Sequence, residues 1–247
     1  MAVGLTQAGW TPTGRVTGAS FVALAFENAA RGETTVRVIT RRGIGLAMDV
    51  PGEESAEPVG LVADAGGDVD GDGREELFLW RSDPLHERRC HAAVRIDAQG
   101  FVTPVAADLG PYGPDACIEE LRDLDGDAAP EALVVWRFPD LSRGSIPGVL
   151  VPLSLDAAGW RARRAGLDAF FAAERERRDR AISDARAARD LGRAYVLAVE
   201  VAAIERVRGA PMRAQVVAFD EALSGLVLTE PDARALAEAR DHIAGGW

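Results

Sequence analysis

The sequence lacks one type of basic residue altogether. It contains no lysine among its 247 residues, so its 28 basic side chains are all arginines, and 39 acidic residues outnumber them. The formal net charge is therefore −11. Nucleic acids and anionic membranes bind basic surfaces, so we expect no nucleic-acid partner. The surplus of carboxylates, most of it before residue 165, is compatible with cation binding.

Long apolar runs are also absent. No stretch reaches the roughly 18 to 20 apolar residues that a membrane-spanning helix needs, so we expect no membrane span. The first residues, Met1–Gln7, show neither the basic start nor the apolar stretch of a secretory signal. Two locations stay open. The protein is either in the cytoplasm, or it is exported from it by a signal that preceded Met1 and has been removed.

Cysteine and histidine are scarce. The only cysteines are Cys90 and Cys117, and two thiols by themselves do not form a tetrahedral metal site. They either pair in an oxidising compartment or remain separate thiols, and the sequence favours neither. The three histidines show no metal-ligand spacing, and no nucleotide-binding or hydrolase motif is present. We therefore expect a protein that is not an enzyme.

The character of the sequence changes near residue 165. Before it, short runs rich in Val, Leu and aromatic residues alternate with Gly, Pro and Asp, which is typical of β-structure. The predicted strands are Phe21–Phe26, Thr35–Thr40, Gly45–Val50, Val59–Ala63, Glu76–Trp80, Ala92–Ile96, Phe101–Val105, Ala132–Trp136, Gly148–Leu153 and Trp160–Arg163. The sequence therefore predicts a β-rich region over residues 1–165.

Four helices are predicted after residue 165. They cover Leu167–Arg189, Leu191–Val207, Pro211–Leu223 and a last segment that begins after Thr229 and ends before Gly245. Leu191–Val207 is apolar on most sides, which indicates a buried helix. Thr229, the proline that follows it by two residues and Asp232 form a helix-start signal. Residues 166–247 are therefore predicted to form an α-helical bundle.

An acidic motif occurs twice in the β-rich region. Its carboxylates stand at the first, third, fifth and ninth positions, and the second copy begins 55 residues after the first. They are Asp68, Asp70, Asp72 and Glu76 in the first copy, and Asp123, Asp125, Asp127 and Glu131 in the second. A repeat of this length indicates one supersecondary unit used more than once.

This spacing suits calcium. Calcium prefers six to eight oxygen ligands, and the carbonyl groups of Arg74 and Ala129, at the seventh position, can add backbone oxygens. Closely spaced aspartates repel one another without a cation. An EF-hand does not fit, because its twelfth position requires a glutamate and a following helix. Leu79 and Val134 stand there instead, in predicted strands.

The motif resembles the FG-GAP or VCBS-type calcium-binding repeat, which is found in integrin-like β-propeller blades and in many bacterial surface proteins. There the pattern Asp-x-Asp-Gly-Asp-Gly-x-x-Asp precedes a strand. The resemblance covers residues 55–140, and it implies that the eight carboxylates are the calcium ligands. Two departures are visible: Glu76 and Glu131 replace the last aspartate, and Ala128 replaces a glycine. Ala128 makes the second loop the weaker predicted site.

These observations lead to one expectation and one alternative. We expect partial propeller-like blades followed by the helical bundle, because residues 1–165 are too few for a full propeller. The function expected is non-enzymatic binding or scaffolding with structural Ca²⁺, a protein or carbohydrate partner, and helices that support assembly or self-association. The resemblance favours an extracellular or periplasmic location, since cytosolic calcium is scarce. The alternative is an accessory, substrate-positioning domain of a secreted hydrolase.

Overall fold

The computed structural model describes residues 8–49, 58–83, 87–106, 109, 112–113 and 116–247. In these parts of the chain, twelve strands precede four helices. The strands are β1 (Thr11–Thr17), β2 (Phe21–Asn28), β3 (Glu33–Thr40), β4 (Gly43–Asp49), β5 (Val59–Gly67), β6 (Glu75–Asp83), β7 (Arg88–Ile96), β8 (Val102–Pro104), β9 (Ile118–Arg122), β10 (Glu131–Arg137), β11 (Gly148–Asp156) and β12 (Gly159–Ala162). The helices are α1 (Asp168–Ala187), α2 (Leu191–Val207), α3 (Met212–Leu223) and α4 (Glu230–Ala244).

The described strands form two sheets. Strands β1 to β4 make a four-stranded antiparallel meander in sequence order. The other eight strands form a second sheet with the order β12-β11-β10-β9-β7-β6-β5, and β8 pairs with β7. Two three-stranded meanders, β5-β6-β7 and β9-β10-β11, therefore lie next to each other in this sheet. Each begins with a hairpin that contains one acidic loop.

Strands of both sheets share one hydrophobic core. The core residues contributed by β1, β2 and β3 pack against those of β5, β6 and β7, as the alternation of buried and exposed side chains along the strands requires. They are Val16, Phe21, Ala23, Ala25, Val36, Val38, Val59, Leu77, Leu79, Val94 and Ile96. This core fixes β6 and β7, the strands that carry the carboxylate and the arginine discussed below.

The helices start where the sequence provides caps. The Asp190 side chain accepts a hydrogen bond from the Arg193 N–H at the start of α2. Thr229 and Asp232 form a complete capping box at the start of α4. Helix α2 buries residues around most of its circumference, among them Val199 and Val201, as its sequence predicts. None of the described helices is long and apolar enough to cross a membrane.

A mainly β N-terminal region followed by a helical C-terminal part is confirmed. Two described strands, β1 and β9, were not predicted from the sequence, because Thr11–Thr17 and Ile118–Arg122 are rich in polar residues.

The described chain falls into two compact units. One comprises the described residues within 1–109, 117–134 and 153–161, and the other those within 110–116, 135–152 and 162–247. The sequence predicts a boundary at residue 165 between two parts that fold independently, and this stays a prediction.

Candidate metal centre

The two acidic loops occupy equivalent places in the second sheet. The first connects β5 to β6, and the second connects β9 to β10. In each case the strand before the loop pairs antiparallel with the strand after it. The glutamates at the ninth position, Glu76 and Glu131, stand at the start of the second strand and are buried beneath their loops. Both loops are therefore closed at their base by a buried carboxylate.

Backbone N–H groups of each loop donate hydrogen bonds to the loop's own carboxylates, and four of these bonds recur at the same positions in both loops, while the second loop has a further bond from Gly126 N to Asp123 Oδ1 (2.7 Å). In the first loop these bonds are Gly73 N to Asp68 Oδ2 (3.0 Å), Asp72 N to Asp70 Oδ1 (3.1 Å), Arg74 N to Asp72 Oδ1 (2.9 Å) and Val69 N to Glu76 Oε2 (2.9 Å). In the second they are Ala128 N to Asp123 Oδ2 (3.1 Å), Asp127 N to Asp125 Oδ1 (3.3 Å), Ala129 N to Asp127 Oδ1 (2.8 Å) and Leu124 N to Glu131 Oε2 (2.9 Å). The two segments thus have one local fold.

The fourth and sixth positions of both loops have positive φ. In the first loop these are Gly71 and Gly73, with φ of 73° and 84°. In the second they are Gly126, with φ of 83°, and Ala128, with φ of 70°. Glycine adopts this conformation freely, whereas an L-residue with a Cβ pays roughly 1–2 kcal/mol. The strain expected at Ala128 is therefore present.

The loop carboxylates converge closely enough for a metal ion. Oxygens of Asp68, Asp70 and Glu76 lie within 4.8 Å of one another, and the same holds for Asp123, Asp125 and Asp127. Ligands at roughly 2.3–2.6 Å from calcium are at most about 5 Å apart, so both groups fit this ion. All the donors are hard oxygens, which suits calcium better than a transition metal.

Not every predicted ligand belongs to these groups. Asp72 lies outside the first because its carboxylate accepts hydrogen bonds from the Arg74 side chain, one of them at 2.8 Å. Glu131 lies outside the second, and its Oε2 accepts from Leu124 N. Asp125, Asp127 and Glu131 make further interactions within the protein. The carbonyl groups of Arg74 and Ala129 stay predicted ligands.

Arg95, a residue that the loop motif does not include, reaches into the first loop from β7. Its position is set by strand register, because Arg95 lies opposite Glu76 across the β6–β7 pair. Its Nε donates to Glu76 Oε1 at 3.0 Å, and its Nη2 donates to Asp70 Oδ2 at 2.6 Å. The remaining donors reach the carbonyl oxygens of Ala157, from Nη1 at 2.9 Å, and Asp156, from Nη2. Arg95 thereby joins the first loop to the β11–β12 turn.

Burial and hydrogen bonding shift the pKa values of the first loop in opposite directions. Burial raises the pKa of Glu76, although the Val69 N–H and Arg95 act against this effect. The side-chain hydrogen bond from Arg74 lowers the pKa of Asp72, although burial opposes it. Glu76 is fully buried, so its charge depends on the partners that it has inside the loop.

A sequence alignment of β7 and β11 shows where the two copies differ. Val94-Arg-Ile-Asp-Ala-Gln-Gly100 in the first copy corresponds to Leu153-Ser-Leu-Asp-Ala-Ala-Gly159 in the second, and both segments run into a turn at the aspartate. Ser154 therefore stands in the second copy where the first has Arg95. The second copy has a short neutral side chain at this position instead of a permanent positive charge.

Cys90 and Cys117 form a disulfide, which settles the choice that the sequence left open. Their Cα atoms are 5.3 Å apart, and both residues are buried. The bridge connects β7 to the segment just before β9, so it joins the end of the first loop unit to the start of the second. The described residues include no free cysteine.

Trp80 and Trp136, which lie on β6 and β10, are partly buried. Arg89 lies over the ring of Trp80 at 4.3 Å from its centroid, and the ring also covers Gly60, where a Cβ would be only 2.5 Å from it. Trp136 stacks with Phe138 at 4.8 Å, and Arg206 lies over its ring at 4.9 Å. These contacts agree with a packing role.

Comparison with models of known protein families, with curated proteins and with solved structures finds no match to this chain.

Proposed function

We propose that this is a non-enzymatic binding or scaffolding protein that uses Ca²⁺ as a structural ion in its acidic loops. The observation that carries the proposal is the hydrogen-bond pattern shared by the two loops. Four carboxylates accept backbone N–H bonds at the same four positions in each copy. In each loop, three of the four carboxylates also have oxygens within 4.8 Å of one another, which suits a divalent cation.

The proposal keeps the FG-GAP or VCBS-type likeness at the level of the loop and the strand that follows it. In that family each calcium loop belongs to a propeller blade, and partial blades remain part of the proposal. The unit present twice here is a three-stranded meander, β5-β6-β7 and β9-β10-β11, within an eight-stranded sheet of the described residues. A bound ion would neutralise the aspartates and hold each hairpin turn in one conformation.

A location outside the cytoplasm is part of the proposal. The disulfide between Cys90 and Cys117 favours an oxidising compartment, since disulfides are rare in reducing ones. Calcium is also abundant enough outside cells to fill loops of ordinary affinity. An extracellular or periplasmic location explains both features at once.

We propose the helical part as a docking or assembly module. Four large apolar side chains are exposed there, and in this proposal they contact another protein or a second copy of the chain. Those of the helical part are Met212, Val217, Val227 and Leu228. A protein or carbohydrate partner would then bind a surface that calcium keeps rigid. The alternative of a hydrolase accessory domain would use the same rigid surface to position a substrate.

Thermal unfolding of the full chain tests calcium binding. A ligand at a hundredfold excess over its Kd stabilises the native state by about 2.7 kcal/mol, which corresponds to roughly 5 to 10 °C for a chain of this size. We expect melting with calcium to exceed melting with a chelator by that amount. A variant that alters both loops, Asp70→Asn with Asp125→Asn and Asp127→Asn, should lose most of the difference. Identical melts, together with no calcium found by metal analysis, would contradict the proposal.

A further inference from the structure

The two meanders of the eight-stranded sheet meet at a seam, the contact between β7 and β9, that has little backbone pairing. On one side, β7 pairs with β6 along its whole length, from Arg88 to Ile96. On the other side, Val94–Ile96 pair with β8, and His91 pairs with Ile118 of β9. Among the described residues, the backbone ladder between the meanders is therefore a single residue pair.

Side-chain contacts fasten the seam where the backbone ladder is short. The disulfide crosses it beside the one backbone pair. His91 Nδ1 donates a hydrogen bond to the Ile118 carbonyl oxygen at 3.1 Å. Nη1 of Arg88, on β7, donates to Glu119 Oε1, on β9, at 3.1 Å. These contacts lie at the start of both strands, so the disulfide is the covalent part of a short row of fastenings.

We propose that the disulfide between Cys90 and Cys117 is a redox-sensitive clasp, and that its reduction opens the seam while each meander keeps its own pairing. Each acidic loop is closed within its own hairpin, by β5–β6 pairs in the first and by β9–β10 pairs in the second. An open seam leaves both loops formed but no longer fixes one loop relative to the other. This inference goes beyond the proposed function and does not depend on a metal ion.

The reductant that opens the clasp is a dithiol. One of its thiolates attacks a sulfur of the bridge and forms a mixed disulfide, and its second thiolate then releases the protein thiol. The protein gains two electrons and two protons and ends with two cysteine thiols, while the dithiol becomes a cyclic disulfide. Cys90 and Cys117 are only 6% and 7% exposed, so the attack requires a transient local opening of the seam.

Hydrogen exchange of the full chain, resolved by residue with NMR, tests the clasp. With dithiothreitol, the amides that bond across the His91–Ile118 pair should lose at least about tenfold more protection than the amides that pair β6 with β7 or β9 with β10. An equal loss throughout the sheet would show that the bridge only stabilises the whole fold, and it would overturn the proposal. Unchanged protection at the seam after full reduction would overturn it as well.

Two variants of β9 separate the seam from the strand itself. Glu119→Gln weakens the contact with Arg88, and in the reduced chain it should speed exchange at the seam further. Glu120→Gln is the matched control, because Glu120 pairs with Arg122 of the same strand at an exposed site and should leave the seam unchanged. Equal effects of the two variants would contradict the fastening described above.

The double variant Cys90→Ala, Cys117→Ala provides the second measurement without a reductant. Its seam amides should exchange as they do in the reduced native chain, and dithiothreitol should not change them. A variant whose seam stays as protected as that of the oxidised native chain would show that the disulfide does not hold the seam closed.

Discussion

At the scale of single residues, two side chains distinguish the acidic loops. Ala128 holds a left-handed conformation in the second loop, where the first loop has Gly73. Arg95 contributes a buried positive charge to the first loop, where the second copy has Ser154. The first difference weakens the second loop by backbone strain. The second difference places a cation supplied by the fold beside Asp70, Asp72 and Glu76, so a metal ion in the first loop would compete with the guanidinium for these carboxylates.

The backbone strain is testable with a reciprocal pair of variants. Ala128→Gly should raise the free energy of unfolding by about 0.5–1 kcal/mol, because relief of left-handed strain exceeds the added flexibility of the unfolded chain. Gly73→Ala should lower it by about 1 kcal/mol. A Cβ at Gly73 would meet no described atom within 4 Å, so that change tests conformation alone.

Denaturant unfolding at a fixed calcium concentration measures both variants. Gly126→Ala is a further control, since Gly126 has φ of 83° and should behave like Gly73. A stabilising effect of Gly73→Ala, or a destabilising effect of Ala128→Gly, would contradict the account of these turns.

The carboxylates of the loops were predictable because their spacing along the chain is itself the signal. Arg95 was not predictable, since it lies 19 residues from Glu76 and meets it only through the register of β6 and β7. The sequence therefore predicted the first loop to be the stronger calcium site, and Ala128 in the second loop was the only reason for this ranking.

At the scale of elements, hydrogen bonds from single side chains fix where strands and helices turn. Glu75 on β6 accepts bonds from Ala19 N at 2.6 Å and from Ser20 N at 2.7 Å, in the turn between β1 and β2. Burial tends to raise the pKa of Glu75, but bonds from Ser20 and Ala19 outweigh it and lower the pKa. The carboxylate thus holds the first hairpin against the second sheet.

The capping box of α4 gives a prediction with a pH dependence. Thr229→Ala should destabilise the protein by about 1 kcal/mol at neutral pH, as is usual for loss of an N-cap. Hydrogen bonds from Thr229 lower the pKa of Asp232. A lowered folded-state pKa means that the stabilisation is present above the unfolded-state pKa and is lost as pH falls through the folded-state value.

Unfolding measurements on the native chain and on Thr229→Ala check both the loss of stability and its pH dependence. They are made at pH 7 and again at a pH below the ordinary pKa of aspartate. The difference between the two proteins should shrink in acid. Exposed Thr11→Ala, in β1, is the control and should show little effect at either pH. An equal difference at both pH values would contradict the role of Asp232.

Element types followed closely from local sequence. The predicted helix Leu191–Val207 matches α2 at both ends, because an N-cap aspartate and a glycine after the helix mark its limits. Strand β9 was missed, since Ile118-Glu-Glu-Leu-Arg122 offers only two apolar residues. Its place between β7 and β10 comes from pairing across the sheet, which a local pattern does not encode.

At the scale of the whole molecule, the disulfide and the two acidic loops all connect parts of the same eight-stranded sheet. The bridge between Cys90 and Cys117 closes a segment with a sequence separation of 27 residues. A cross-link of this span stabilises the folded state by roughly 3 kcal/mol, mostly by restricting the unfolded chain. It ties the meander of the first loop to that of the second within the eight-stranded sheet.

Removal of the bridge gives a clear expectation. The double variant Cys90→Ala, Cys117→Ala should lose roughly 3 kcal/mol of unfolding free energy, and a reductant should affect the native chain but not the variant. Denaturant unfolding with and without reductant measures this loss. A native chain that unfolds identically in both conditions would show that the bridge does not form in solution.

X-ray diffraction from crystals of the full chain grown with calcium tests the central claim most directly. An anomalous difference map should show at least one calcium peak in the acidic loops, at roughly 2.3–2.6 Å from the oxygens of the carboxylates that converge there. The absence of a peak from both loops would contradict calcium binding.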